Sequence, residues 1–247
     1  MPNKNIIVLG DGGTDGKNPL NDLYILAQSQ KKNPKICFLG TAGGDDLNYT
    51  KYFHQLFGQY PCETSDLSVF RPETADIKDF LLTKDIIYVG GGHTKSMLIL
   101  WKGYGIDLIL KEAYEGGITL SGGSAGLVYP ARECITDSIP DQLTVMPCLN
   151  ILPFSLCPHY ASSERRKVYT SFVKEGKISG GYSADDHAAL HFVDGQHFRS
   201  VSSKPYAKTY KVSLENNKVV QKRLKTDWLS MEKYQQEYIF NSLTFQQ

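Results

Sequence analysis

Ser124 is the residue whose surroundings point most directly to chemistry. It lies in the segment GGSAG at 122–126, between an apolar run at 118–120 and another at 127–129. A G-x-S-x-G segment between a strand and a helix is typical of a nucleophilic serine on a sharp turn. The small neighbours have a physical reason, because a strained turn leaves no room for larger side chains. The start of the helix would also direct backbone N–H groups at charge that develops beside Ser124 Oγ.

A serine hydroxyl needs a general base to take its proton, and histidine commonly serves as that base. The chain has six histidines. His159 follows a proline and the apolar stretch 151–156, so a strand there would deliver it to the same edge of a sheet as Ser124. His54 falls in a predicted helix and His191 in a predicted strand, which favours structural roles for both. The residue types make His159 the first choice and leave the other histidines open.

Three other interpretations share parts of this pattern. A Gly-rich turn can bind phosphate, but no segment matches G-x-G-x-x-G with its acidic partner or G-x-x-x-x-G-K-[ST]. An α/β-hydrolase esterase also uses G-x-S-x-G, usually with a histidine far downstream, for which His197 is the candidate. The third is a non-catalytic protein that keeps the turn for packing and binds a small molecule or a protein.

Short apolar runs predict the strands that position these residues. The predicted strands are 6–9, 35–39, 85–89 and 118–120, and the predicted helices are 20–30, 46–57, 74–82, 94–101 and 106–114. This alternation predicts an α/β fold with a mainly parallel sheet flanked by helices. Ligands bind at the carboxyl ends of parallel strands, so the glycine clusters that follow the strands should meet there. These clusters are 10–13, 43–44, 90–92 and 122–126.

The second half of the chain has a different pattern. Alternating segments punctuated by glycine predict antiparallel strands near the C-terminus, added at the sheet edge; they are 177–182, 188–193, 197–201 and 206–214. We predict a single α/β domain over residues 1–225 and a tail over 226–247 with helical spacing. A packed terminal helix and a contact in a homodimer explain this tail equally well.

The composition indicates a soluble globular protein, with 41% hydrophobic and 21% charged residues. The 27 basic residues nearly balance the 26 acidic ones, so no net field would attract nucleic acid or an anionic membrane. We find neither an export signal nor a membrane-spanning run, and the five cysteines lack a C-x-x-C pair, which predicts a cytoplasmic protein with reduced thiols. No cluster has metal-ligand spacing, so we expect no metal or cofactor, and a small molecule or peptide as partner.

Several blocks together resemble the aspartyl dipeptidase (dipeptidase E) and cyanophycinase family of serine peptidases. The blocks are YVGGGHT at 88–94, GSAG at 123–126, TDS at 136–138, CPHY at 157–160 and the segment 181–192. In order and spacing the resemblance covers about residues 5–215. It implies a class I glutamine amidotransferase-like fold with serine in place of cysteine at the nucleophile turn. It also implies a serine peptidase that hydrolyses short peptides through an acyl-enzyme.

The resemblance further implies roles for individual residues. Ser124 matches the nucleophile and His159 its general base, while the N–H groups of Gly92 and Ala125 match the oxyanion hole. His93 stands where the family commonly has asparagine and could contact the substrate. The specificity of neither the dipeptidases nor cyanophycinase can be carried over to this chain.

The acidic residue that orients His159 has more than one candidate. We favour Asp137, because its block aligns more cleanly with the family. Asp185 and Asp186, in the later strand-turn segment, are the alternative acidic members, and the two positions could both contribute.

Overall fold

The computed structural model describes residues 3–11 and 19–234, which form two sheets with helices packed against each of them. The strands are β1 (Asn5–Leu9), β2 (Lys35–Leu39), β3 (Glu63–Leu67), β4 (Ile86–Val89), β5 (Thr119–Gly123), β6 (Glu133–Ile139), β7 (Gln142–Pro147), β8 (Ser155–Cys157), β9 (Gly181–Ala184), β10 (Ala188–Val193), β11 (Gln196–Ser202), β12 (Thr209–Glu215), β13 (Lys218–Arg223) and β14 (Thr226–Trp228). The helices are α1 (Leu20–Ala27), α2 (Leu47–Phe57), α3 (Ile77–Leu82), α4 (Thr94–Tyr104), α5 (Ile106–Glu115), α6 (Ala125–Val128), α7 (Ser163–Lys174) and α8 (Met231–Tyr234).

The larger sheet has eight strands in the order β14-β11-β10-β1-β5-β4-β2-β3. Its strands β1, β5, β4, β2 and β3 are parallel to one another. The predicted α/β fold with a parallel centre is therefore confirmed. On the other side of β1, strands β10 and β11 are antiparallel, as predicted for this part of the chain.

Helices cover both faces of this sheet, which explains why its central strands are continuous apolar runs. Along β1, Ile6 and Val8 pack into one hydrophobic cluster with Trp101 and the apolar face of α5. The alternate residues Ile7 and Leu9 pack into a second cluster with α1 and α2. Because both faces are buried, the carboxyl edge of the sheet remains as the place where loops can meet a ligand.

A second sheet of six strands, β13-β12-β9-β8-β6-β7, was not predicted. The predicted strand at 177–182 shifts to β9, which belongs to this sheet, while β10 belongs to the first. The sequence does not distinguish the sheets of β9 and β10, because both segments alternate in the same way and only the turn at 185–187 lies between them. This turn crosses from one sheet to the other beside the end of β1.

The tail begins with β14, which pairs in parallel with β11 and so extends the larger sheet. Residues 235–247 lie outside the described residues, so the predicted helical tail and its contact remain predictions. No helix within residues 3–11 and 19–234 is long and apolar enough to cross a membrane.

His191 gives this fold a specific pH dependence. Its side chain is buried in β10, with Nδ1 2.7 Å from Tyr24 Oη and Nε2 3.0 Å from Asn5 Oδ1. Burial, with the positive charges of Arg199 and His197, lowers the pKa of His191 from 6.5 to about 4. Between these values the unfolded chain binds the proton and the folded chain does not, so stability falls as the pH falls from 6.5 towards 4. The shift corresponds to about 3 kcal/mol of unfolding free energy.

We therefore expect urea unfolding at pH 7 and at pH 4.5 to show a larger loss of stability in the wild type than in His191→Gln. Glutamine does not titrate, so the comparison uses the change with pH in each protein and not their absolute stabilities. Equal changes in the two proteins would contradict this explanation.

Candidate active site

Ser124 lies at the tip of a sharp turn between β5 and α6. Its backbone has φ 56° and ψ −107°, a conformation that L-residues rarely adopt. A Cβ on Gly122 would lie 2.4 Å from Val89 O, and one on Gly126 would lie 2.0 Å from the same atom. The two glycines therefore let the turn pack against the end of β4, which holds Ser124 in its strained conformation.

His159 faces Ser124 from the segment that follows β8. Its Nε2 lies 2.9 Å from Ser124 Oγ. His159 also has a positive φ of 52°, and its backbone N–H donates to Gly10 O at 3.0 Å. This bond turns the chain towards the end of β1, so the second sheet delivers the imidazole to a serine of the first. The predicted pair of Ser124 and His159 is thus brought within hydrogen-bond distance.

Asp186 is the carboxylate that contacts His159. Its Oδ1 lies 2.6 Å from His159 Nδ1, and this hydrogen bond lowers the pKa of Asp186 below its ordinary value. An ionised carboxylate can only accept, so Nδ1 carries the proton and the lone pair of Nε2 faces Ser124. Both side chains are partly exposed to solvent. The arrangement can therefore take a proton from Ser124 Oγ at a site that a substrate can reach.

This geometry contradicts the predicted role of Asp137 as the residue that orients His159. Asp137 Oδ2 accepts a hydrogen bond from Arg165 Nη2 at 2.7 Å, and its side chain is 72% exposed. Asp137 belongs to β6 of the second sheet. The chain after β8 turns away from β6 towards Gly10, which takes His159 away from that carboxylate.

Asp185 does not contact His159 either. Its Oδ2 accepts from the N–H of Lys208 at 3.1 Å, and burial raises the pKa of this carboxyl. Asp185 thus anchors the turn at 185–187 to the loop before β12, while Asp186 points to the imidazole. Of the two adjacent candidates, the structure brings only Asp186 to His159.

Gly92 and Ala125 lie where the adjacent parallel strands β4 and β5 end. Gly92 has φ 140°, and a Cβ there would lie 2.2 Å from Ala42 O. The neighbouring N–H of Gly91 donates to Tyr49 Oη at 3.0 Å, which holds this turn in place. Among the described residues, the N–H groups of Gly92 and Ala125 have no hydrogen-bond acceptor. They are free to donate to a ligand.

His93 is the N-cap of α4. Its Nδ1 accepts from the N–H of Ser96 at 3.2 Å, and the residue is exposed. A contact with the substrate remains a prediction for this side chain. Its position next to Gly92 is compatible with that role, while its hydrogen bond shows that it also caps the helix.

His197, the candidate base of an esterase, lies elsewhere. Its Nε2 is 2.8 Å from Ser200 Oγ on the same strand, and its ring stacks on Tyr182. The esterase interpretation therefore loses its base, because the histidine that contacts Ser124 is His159.

A cavity of about 310 Å³ lies beside the segment that follows His159, and neither Ser124 nor His159 lines it. Ser162 lies in its wall and donates its backbone N–H to His159 O at 3.0 Å. Asp137 and the buried Arg165 also line it, which gives the cavity groups of both charges. No group of three or more His, Cys, Asp or Glu side chains in the described part of the chain could hold a metal ion.

Two residues beside this site, Tyr49 and Asp11, were not predicted from the sequence. Tyr49 holds the turn at 90–92 through Gly91, and Asp11 contacts His187 in the turn that carries Asp186. Asp11 lies two residues after the first predicted strand, which indicated that it would lie at the carboxyl edge of the sheet. Nothing in the sequence indicated which residue it would contact.

Comparisons with known proteins are consistent along the chain. The model of Peptidase family S51 matches residues 6–200. The Bacillus subtilis protein named uncharacterized peptidase YgaJ is 41% identical over 92% of this chain and 99% of its own length. Peptidase E of Shewanella denitrificans is 28% identical over 56% of this chain and 57% of its own length.

Two solved structures have a similar fold. A peptidase from an acI-B1 Actinobacterium superposes with a TM-score of 0.65 at 18% identity, covering 91% of this chain and 95% of its own. A candidate peptidase E of Listeria monocytogenes superposes with a TM-score of 0.59 at 20% identity, covering 90% and 100% of the two chains.

Proposed function

Because the chain belongs to peptidase family S51 and is a serine-type peptidase, we propose that it hydrolyses short peptides in the manner of a dipeptidase. In this proposal Ser124 is the nucleophile, His159 is the general base and Asp186 orients the base. The observation that carries the proposal is the unbroken chain of hydrogen-bond distances, 2.9 Å from Ser124 Oγ to His159 Nε2 and 2.6 Å from His159 Nδ1 to Asp186 Oδ1.

The proposed reaction has two halves that use the same imidazole. His159 Nε2 takes the hydroxyl proton while Ser124 Oγ attacks the carbonyl carbon of the peptide bond. The imidazolium then gives this proton to the leaving amine, which leaves an acyl group on Ser124. In the second half His159 deprotonates a water, which attacks the acyl carbon; the bond between this carbon and Ser124 Oγ then breaks, and the imidazolium returns its proton to Oγ as the acid leaves. Asp186 stabilises the imidazolium in both halves, in line with the lowered pKa of its carboxyl.

The oxyanion of each tetrahedral intermediate would bind the N–H groups of Gly92 and Ala125. These donors come from the ends of neighbouring strands, and among the described residues neither has an acceptor. One such donor contributes about 3–4 kcal/mol of transition-state stabilisation in a serine protease. The conformation of Gly92 is compatible with this role. Only glycine fits there, because φ is positive and a side chain would collide with Ala42 O.

If a substrate bound at Ser124 extends into the cavity lined by Ser162 and Arg165, the size of that cavity favours a short substrate. About 310 Å³ lies at the lower end of small-ligand pockets. Arg165 and Asp137 in its wall form an ion pair with each other at 2.7 Å, so a charged end of a dipeptide would bind there by sharing or displacing one member of this pair.

The finer fold assignment belongs to the same proposal. Five parallel strands with the nucleophile turn between β5 and α6 are compatible with a class I glutamine amidotransferase-like domain in which serine replaces cysteine. Cys37 and Cys157 do not supply a rival nucleophile, because burial raises the pKa of Cys37 to about 12 and also raises that of Cys157.

The test combines covalent labelling with a substrate panel. We expect a fluorophosphonate to add one group to the wild-type protein, on Ser124, in the intact-mass and peptide mass spectra. Ser124→Ala should show no adduct, while Ser29→Ala, at the opposite edge of the sheet, should label like the wild type. Chromatography of a panel of dipeptides and longer peptides then gives the substrate class.

Each outcome decides a different part of the proposal. Absence of an adduct in the wild type would favour the non-catalytic interpretation. An adduct together with cleavage of long peptides in preference to dipeptides would retain the nucleophile and overturn the proposed substrate class.

A further inference from the structure

Three consecutive residues at the end of β1 each contact one of the three chain segments that carry the proposed catalytic triad. Leu9 O accepts the N–H of Ser124 at 3.2 Å, and Gly10 O accepts the N–H of His159 at 3.0 Å. Asp11 Oδ2 accepts the N–H of His187, the residue after Asp186, at 3.1 Å. The end of β1 therefore joins the three chain segments that carry the triad, and two of these segments come from the second sheet.

The contact of Asp11 is the one made by a side chain. Its Oδ2 lies 3.1 Å from both the N–H and the Nδ1 of His187, and the carboxyl is largely buried with 17% of its side chain exposed. His187 has φ 68°, in the left-handed region that disfavours ordinary residues. A backbone in this conformation needs tertiary contacts to hold it, and Asp11 supplies two, one to the backbone N–H of His187 and one to its imidazole.

The backbone carbonyl of His187 also has hydrogen-bond partners. His187 O accepts from Asn21 Nδ2 at 3.1 Å and from the N–H of Ser203 at 3.0 Å. Behind it, Gly10 N–H donates to Ala188 O at 2.9 Å. The residue that follows Asp186 is thus fixed at its N–H, its side chain and its carbonyl, which limits how far the Asp186 carboxylate can move away from His159.

We propose that Asp11 is a positioning residue that holds Asp186 in hydrogen-bond contact with His159 through His187. The inference rests on the proposed function for its kinetic consequence, but its structural part stands apart from it. Asp11 does not touch the reacting atoms; it acts on the direction of the carboxylate that does. Misplacement by about 1 Å far from the chemistry can cost on the order of 100-fold in rate.

The test uses substitutions that remove or retain the bond of Asp11. Asp11→Ala removes both contacts, whereas Asp11→Asn keeps an oxygen for the N–H of His187. His187→Asn keeps the backbone N–H and tolerates a positive φ, but lacks the imidazole. Asp85→Ala is the matched control, because Asp85 Oδ2 accepts the N–H of Lys35 at 2.8 Å with a similar exposure of 14% at the opposite edge of the sheet.

Two readouts separate the inference from the proposed function. The first is the low-field proton resonance of the His159–Asp186 hydrogen bond in the NMR spectrum, assigned by its loss in His159→Gln. The second is kcat and KM for the best dipeptide of the panel. We expect Asp11→Ala to lose or shift the resonance and to lower kcat about 10- to 100-fold with KM little changed. Asp11→Asn, His187→Asn and Asp85→Ala should retain the resonance and most of kcat.

The opposite results are equally clear. If Asp11→Ala keeps the resonance and its kcat matches that of Asp85→Ala, the inference is wrong. If no peptide is cleaved but the resonance still depends on Asp11, the proposed function fails and the positioning role stands. A wild-type spectrum without this resonance would overturn the hydrogen bond and the inference together.

Discussion

Asp186→Asn is expected to lower kcat by roughly four orders of magnitude while the fold remains intact. Asparagine has nearly the shape of aspartate, but its amide can donate to His159 Nδ1. The proton of the imidazole then moves to Nε2, which can no longer accept the proton of Ser124 Oγ, 2.9 Å away. The rate of fluorophosphonate addition to Ser124 should fall with kcat, and circular dichroism should be unchanged.

Asp137→Asn is the matched control for this result, because it is the same chemical change at the carboxylate that the sequence favoured. It weakens the ion pair with Arg165 and leaves the 2.6 Å contact between His159 and Asp186 in place. We expect Asp137→Asn to change KM, because Asp137 and Arg165 line the cavity. Its kcat should stay within about tenfold of the wild-type value. A large loss of kcat in Asp137→Asn with little loss in Asp186→Asn would show that Asp186 is not the orienting residue.

The nucleophile turn could be predicted from one chain segment alone, whereas the choice of His159 also needed the expectation that strand ends meet at one edge of the sheet. The apolar run before Ser124 and the glycines around it define a strand, a turn and a helix without reference to the rest of the molecule. The parallel sheet is largely local in origin, because four of its five parallel strands contain short apolar runs that the sequence predicts, whereas the polar edge strand β3 was not predicted. These features depend on hydrophobic periodicity and on the backbone conformations that individual residues allow, and the local sequence determines both.

The carboxylate could not be predicted in this way, because its place depends on how two sheets meet. Asp137, Asp185 and Asp186 all follow or lie within alternating segments, and alternation does not tell which sheet a strand joins. The turn at 185–187 crosses between the sheets, and His187 in this turn is in contact with Asp11, Asn21 and Ser203. Such a contact joins residues at the two ends of the domain, and neither residue has a local pattern that marks it.

A histidine with a carboxylate partner is also not sufficient to identify a base. His54 Nε2 lies 2.8 Å from Asp66 Oδ1, close to the distance found at His159, and its Nδ1 lies 2.9 Å from Thr64 Oγ1. This second pair links α2 to β3 at the edge of the sheet. What distinguishes His159 is the contact of its other nitrogen with a serine on a strained turn, and that comparison supplies a control for the last prediction.

His159→Ala and Ser124→Ala should each lower kcat by roughly 10⁶-fold, and the double variant should be no worse than either. The proton of Ser124 Oγ has no acceptor without His159, and the imidazole has nothing to deprotonate without Ser124, so the two side chains act as one unit. The residual rate would come from binding and from the N–H groups of Gly92 and Ala125, which neither substitution removes.

The measurement is kcat for a dipeptide substrate together with the rate of fluorophosphonate labelling, in the two single variants, the double variant and His54→Ala. His54→Ala removes a histidine that also contacts an aspartate but does not contact Ser124. We therefore expect this variant to react with the fluorophosphonate and to hydrolyse the dipeptide at the rates of the wild type. Multiplicative losses in the double variant would mean that Ser124 and His159 act in separate steps. Labelling that survives in His159→Ala would mean that another group takes the proton of Ser124, and the 2.9 Å contact would then be structural and not catalytic.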